Sequence, residues 1–144
     1  MGANTILLAG DYRKIQSLSL AAGQTPKPGM LVMLDSAGAL TVHATQGGYA
    51  EKMILLEDAL QGKTTADAYT ASTVADAAIA LPGCEAQVLI KATSNIAIGD
   101  KLTSAGDGKF EEAGQGDVVL AVATAACDLS GSGAVDTLCN ARFI

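Results

Sequence analysis

An all-β fold, a small barrel or sandwich built from two related strand–hairpin units, follows from three observations on this 144-residue sequence. Several segments alternate apolar and polar residues with period two, the pattern of half-buried strands. Turns rich in Gly, Pro, Asp and Ser punctuate them at short intervals. One strand–turn–hairpin pattern also occurs twice, 70 residues apart.

Taken in order, residues 1–14 (MGANTILLAGDYRK) read as an N-terminal arm. TILLAG can pair as a short strand and GDYRK is turn-like; such arms are ordered only where something holds them. Residues 15–144 read as a single β domain, long enough to bury one core. IQSLSLAA alternates, with Leu18 and Leu20 set off by Ser17 and Ser19. The prolines and glycines of GQTPKPG exclude a helix and a central strand. MLVML and ALTVHA, joined by the turn DSAG, make residues 30–44 a hairpin. EKMILLEDALQG fits a short helix as well as a buried strand, and KTTADAYTAS reads as a loop. In TVADAAIALPG the helix preference of alanine competes with Thr73 and Val74, which favour extension, and Pro82-Gly83 ends the element. CEAQVLIKA, KLTS, KFEEA, DVVLAVATAAC and AVDTLCNARFI then read as strands, separated by the turns TSNIAIGD and AGDG and the loop DLSGSG.

The repeat aligns residues 16–44 with 86–114 without a gap. Leu18 falls on Val88, Leu20 on Ile90, Val32 on Leu102 and Leu40 on Phe110, while Gly29 falls on Gly99 and Gly38 on Gly108. With a four-residue slip, ILLEDAL also matches LAVATAA. Each unit therefore predicts a strand, a tight turn at the first glycine and a hairpin closed at the second. Two such units can pack apolar faces that neither could bury alone.

Composition excludes several function classes. The chain is 49% apolar but 3% aromatic, without Trp, and carries a formal charge of −6. It lacks the basic footprint and stacking platforms of a nucleic-acid binder, and an anionic membrane surface would repel it. No stretch approaches the ~20 apolar residues of a membrane span. The first apolar run is too short, and lacks the preceding basic region, for a secretory signal, and Ile6 stands where a myristoylation motif needs Ser or Thr. Cys84, Cys127 and Cys139 offer neither an even disulfide set nor zinc-site spacing, and are expected to be small apolar residues in a reducing compartment.

No catalytic, cofactor or metal site is expected. His43 is the only histidine, lies in the predicted strand LTVHA, and reads as a surface or interface residue. No nucleophile motif accompanies it. Glu57-Asp58 and Glu111-Glu112 are neighbours whose side chains would diverge on a strand. Asp100, Asp107 and Asp117 sit in Gly-rich turns, where Asp bonds backbone amides. GQTPKPG and AGDGK lack phosphate-loop spacing. AIGDKL is similar to the turn of biotinyl or lipoyl carrier domains and of β-clip domains, although neither Lys101 after Asp100 nor Lys109 between Gly108 and Phe110 has a carrier-lysine context. A β-clip or carrier-type β domain binding a small ligand is the alternative function.

The order of the segments carries a resemblance. AAGQTPKPGMLVMLDSAGALTVHA, then LLEDALQGKTTADAY, then LPGCEAQVLIKATSNIAIGDKLTSAGDGKFEEAG, and finally VVLAVATAACDLSGSGAVDTLCNARFI resemble the capsid decoration (structural cement) proteins of tailed bacteriophages over residues 20–144. The resemblance implies a β-tulip-like domain, non-enzymatic, that binds the outer surface of the virion capsid after synthesis in the host cytoplasm. It implies a homotrimer at three-fold or quasi-three-fold positions that bridges subunits of the major capsid protein and stabilises the shell. It also implies that the arm supplies capsid contacts, the candidates being Asn4, Thr5, Ile6, Leu7, Leu8, Tyr12 and Arg13, by strand addition.

Overall fold

The computed structural model describes residues 5–144, without the side chain of Gln16. The first half of the chain forms β1 (Leu7–Ala9), β2 (Tyr12–Ser19), β3 (Leu31–Leu34), β4 (Leu40–Val42), β5 (Met53–Leu55) and β6 (Val74–Ala80), with a 3-10 turn at Ala59–Gln61. The second forms β7 (Glu85–Ile90), β8 (Asn95–Ile96), β9 (Lys101–Ser104), β10 (Phe110–Glu112), β11 (Ala121–Ala123), β12 (Cys127–Asp128) and β13 (Thr137–Phe143).

The repeat seen in the sequence is a repeat of topology. The first half runs β2-β6-β5-β3-β4. The second runs β7-β13-β11-β9-β10, and β10 pairs with β7 to close a five-stranded barrel. That closure is the parallel pair Ile90↔Phe110, and the first half has its counterpart in the parallel bridge Leu20↔Leu40, 70 residues earlier. The main-chain bond beside each closure repeats as well: Ala21 N–H donates to Leu40 O at 2.8 Å, and Lys91 N–H to Phe110 O at 2.9 Å. Two barrels of one design therefore stand in series.

The offset changes after the hairpins. Gly29 N–H donates to Leu55 O, and Gly99 N–H to Ala123 O, so β5 corresponds to β11 with a slip of two residues rather than the expected four. Inserted loops take up further differences. Tyr69 N–H bonds Pro26 O where Cys127 pairs with Ile96, which makes Tyr69 the counterpart of Cys127. Residues 56–68 connect β5 to that point in the first barrel, against 124–126 in the second. The second barrel carries its own excursion at 129–136, between β12 and β13.

The Ala-rich segment is a strand. β6 lies between β2 and β5, with Ala75, Ala77, Ala78 and Ala80 buried on both faces. Small side chains let neighbouring layers approach, and this tertiary demand overrides alanine's helix preference. EKMILLEDALQG divides: Met53–Leu55 is the strand, and the rest is loop and 3-10 turn.

Two apolar clusters follow from the period-two pattern. Val32, Leu40, Met53, Leu55, Ala75 and Ala77 point inside the first barrel with Leu20 and Tyr69. Their strand neighbours Leu31, Ile54, Ala78 and Ala80 face the other way and join the core of the second barrel. The seam between barrels is thus continuous with a core, in which Phe110 and Phe143 meet edge to face with centroids 6.2 Å apart.

Two expectations are corrected. From residue 5 onward the N-terminal segment is not a separate arm: Leu7 and Ala9 pair with Ala86 and Glu85, Ile6 is fully buried, and β2 begins at Tyr12. The cysteines are not all free. Cys127 and Cys139 form a disulfide with Cα atoms 6.4 Å apart, and only Cys84 remains a buried thiol. The odd count concealed one bridge plus one core residue.

Candidate functional site

The glycines of the repeat are turn residues. Gly29, Gly38, Gly99 and Gly108 have φ of 87°, 80°, 91° and 82°, a region L side chains rarely adopt. Two of them also build the seam. Gly29 O accepts from Leu89 N at 3.0 Å, and a Cβ at Gly29 would run into the side chain of Leu138. Gly108 O accepts from Leu31 N at 2.7 Å, and Gly108 N donates to His43 O at 3.1 Å. Their repeat mates Gly99 and Gly38 are exposed, with nothing within 4 Å of an added Cβ.

His43 lies in this seam, buried. Its Nδ1 is 2.7 Å from Ser104 Oγ and its Nε2 is 2.9 Å from Tyr49 O. Nε2 must donate to the carbonyl, which leaves Nδ1 to accept from the serine hydroxyl, while Ser104 Oγ accepts from Gly106 N at 3.1 Å. The ring is a clamp between barrels with both nitrogens engaged. The aspartates expected in turns bond backbone amides there: Asp100 takes Ala97 N, Asp107 takes Lys109 N, and Asp117 takes Gly114 N.

The candidate contact residues separate. Asn4 lies outside the described residues. Thr5 is exposed, its hydroxyl donating to Leu7 O and its carbonyl accepting from Gln87 Nε2. Ile6 is in the core and its amide donates to Glu57 Oε2, so it offers no contact surface. Leu7 and Leu8 are half-buried, whereas Tyr12 and Arg13 are exposed. Tyr12 pairs with Ala80, whose amide bonds Lys52 O, and Lys52 Nζ donates to Ile144 O. The exposed apolar residues Tyr12, Leu81 and Ile144 therefore lie near one another, where the β1–β2 and β6–β7 connections pass between the barrels.

One ion pair is anchored in the fold. Lys109 Nζ is 2.9 Å from Asp136 Oδ2, and Asp136 Oδ1 accepts from Ala92 N at 2.7 Å. Partial burial pushes the Asp136 carboxyl up, but the Ala92 amide and the Lys109 ammonium outweigh it and hold it below the usual range. The hydrogen bond to Asp136 in turn raises Lys109.

Sequence reasoning missed two exposed apolar residues, Leu34 and Ile98. Their signal lay in the alignment: Leu34 falls on Ser104 and Ile98 on Pro28, and both of those mates are buried.

No protein-family model and no curated protein matches the chain. Among solved structures, the chain is similar to the head fiber gp8.5 N base of bacteriophage phi29, with a TM-score of 0.54 and 12% identity over 93% of this chain and 95% of that one. The likeness establishes a shared fold across both barrels.

Proposed function

We propose that this chain is a structural protein of a bacteriophage head, seated on the outer capsid surface through the major capsid protein. The observation that carries the reading is the end-to-end fold match with a phage head fiber base, in which both proteins are covered almost completely. The segment order resembling capsid decoration proteins leads independently to the same place. On this reading Tyr12 and Arg13, beside Leu81 and Ile144, supply contacts to the shell. Ile6 supplies none, being fully buried, whereas β1 pairs with β7 on one side only and ends its sheet, so strand addition would use its outer edge.

The seam supports the further reading of a homotrimer. It is head-to-tail: the Gly29 face of the first barrel meets the Gly108 face of the second, and these are not equivalent positions in the repeat. Such a contact leaves one copy of each face unused. The unused faces carry Gly38 with Leu34 (47% exposed) and Gly99 with Ile98 (70% exposed). Repeating the internal contact between chains would bury both, and a homotrimer built in this way is a ring of six barrels.

Co-sedimentation with expanded capsids tests attachment, and the heat resistance of capsids with and without the protein tests cementing. Binding without added heat resistance would identify a fibre-base role instead of a cement. No binding to capsids of its own phage would overturn the head-protein reading. In solution, a trimer mass that Ile98→Lys reduces to a monomer supports the ring; an unaltered mass refutes this use of the face.

A further inference from the structure

The duplicated architecture supplies its own control for locating a specialised site, because a feature present in one barrel alone is not needed to make a barrel. The first barrel holds an open cavity of about 320 Å³ whose polar lining includes Ser17, Asp58, Gln61, Lys63, Thr70 and Asp76, with Thr73 beside them, its hydroxyl donating to Thr70 O. Ser17, the connection 58–63 and the turn at 70–73 depart from the second barrel, whereas Val74, Ala75 and Asp76 belong to β6, the counterpart of β13. Ser17 sits at the register shift in the β2–β6 pairing, with φ of 58°, whereas β7 pairs with β13 from Glu85 to Ile90 without interruption. Asp58, Gln61 and Lys63 belong to the connection 56–68, which the second barrel replaces with residues 124–126. Thr70 lies in the turn that includes Ser72, another non-glycine residue at positive φ, 63°.

The lining has bonding capacity to spare. Asp76 Oδ1 accepts from Ser17 N at 2.8 Å, which fixes the carboxylate across the bulge, and among the described residues no hydrogen bond engages Oδ2. Among the described residues, no hydrogen bond or ion pair engages the side chains of Asp58, Gln61 or Lys63. The mix of signs selects the ligand. An anion would meet two carboxylates, and a cation would meet Lys63. A neutral molecule rich in hydroxyls satisfies both: its hydroxyls donate to Asp58 and Asp76 and accept from Lys63 and the Gln61 amide, while Ser17 and Thr70 can do either. Leu60, 90% exposed, and Val74 stand at the rim as apolar surface for a C–H face. The volume lies at the small end of ligand sites, the size for one small unit.

We propose that this cavity binds a saccharide unit. The inference stands on the cavity alone and does not depend on the head-protein reading.

The test is amide chemical-shift mapping of the isotope-labelled full chain titrated with glucose, galactose and N-acetylglucosamine. Inorganic phosphate and free glutamine serve as anionic and zwitterionic arms. Saturable shifts confined to residues 17, 58–63 and 70–76 are expected with at least one sugar, with a dissociation constant on the order of 1 mM for so small a ligand. Asp58→Asn and Lys63→Ala, which break no bond in the fold, should each weaken binding about tenfold without changing the unfolding temperature. A tetrasaccharide arm distinguishes a free sugar from one within a polymer, and shifts on these residues in either case support the proposal. Absence of saturable shifts with every sugar, shifts only with phosphate or glutamine, or sugar binding unaffected by both substitutions would each overturn it.

Discussion

Removing the Cys127–Cys139 bridge should destabilise the protein by an amount that its loop length sets. The two cysteines are 12 residues apart in the chain. Cross-linking a loop of about 13 residues removes about 10 cal/mol/K of denatured-state entropy, or about 2.9 kcal/mol at 25 °C. With an unfolding entropy of ~2.1 cal/mol/K per residue, the whole chain gains about 0.3 kcal/mol/K, so the midpoint should fall by about 10 °C. The assay is thermal unfolding of the native chain and of a Cys127→Ala/Cys139→Ala variant, each with and without reductant. The native protein should lose about 10 °C on reduction, and the variant should start at that lower midpoint and ignore reductant. Thiol counting provides the control, since one free cysteine should become three on reduction. Cys84 should not exchange: burial, helped by Asp11 and Glu85, pushes its thiol up and away from the reactive thiolate. A native protein that shows three thiols yet melts at an unchanged temperature would refute the reasoning.

Three further outcomes can be checked by denaturant unfolding. Gly29→Ala should cost about 3 kcal/mol and Gly99→Ala about 1 kcal/mol, because both lose a positive-φ glycine but only Gly29 faces Leu138 and the Gln87 carbonyl across the seam; equal losses would place Gly29 outside it. Asp136→Asn keeps an acceptor for the Ala92 amide and removes the charge beside Lys109, so it should cost about 0.5–1 kcal/mol at neutral pH. Because the folded Asp136 pKa is depressed, its contribution is present above the ordinary carboxylate pKa and is lost as pH falls through the folded value; the variant and native curves should therefore converge in acid. Tyr69 is the reverse case. Burial pushes its phenol up to about 12, and its hydroxyl donates to Leu56 O at 2.6 Å. The stability it confers is complete below the ordinary phenol pKa of 10.0 and declines as pH rises towards about 12. Tyr69→Phe should lose about 1 kcal/mol at neutral pH and abolish the phenol titration at about 12 in ultraviolet absorbance.

Much of the scaffold was legible because the pattern that specifies it is local. KLTS is β9 as read, and the glycines at 29, 38, 99 and 108 turn the chain where the repeat requires. What escaped depended on contacts distant in sequence. Alanines 75, 77, 78 and 80 carry a helix preference that only neighbours on both sides could overrule. Cys127 and Cys139 gave no spacing signal, since their pairing follows from β12 and β13 being brought together by the barrel. The N-terminal apolar run could be read as paired or free, and its partner, β7, lies nearly 80 residues away. The cavity was hardest to foresee, because it arises where one copy of the repeat departs from the other.

The two barrels resolve one structural joint differently. Tyr69 corresponds to Cys127, and Ala75, opposite Leu18, corresponds to Cys139, opposite Val88. In the first barrel the joint is filled by a phenol ring and its hydrogen bond; in the second it is a covalent link. The ring is indifferent to the redox state of its surroundings and the link is not. A chain that leaves a thiol-rich cell interior for an oxidising medium therefore tightens in one half while the other half stays as it was synthesised.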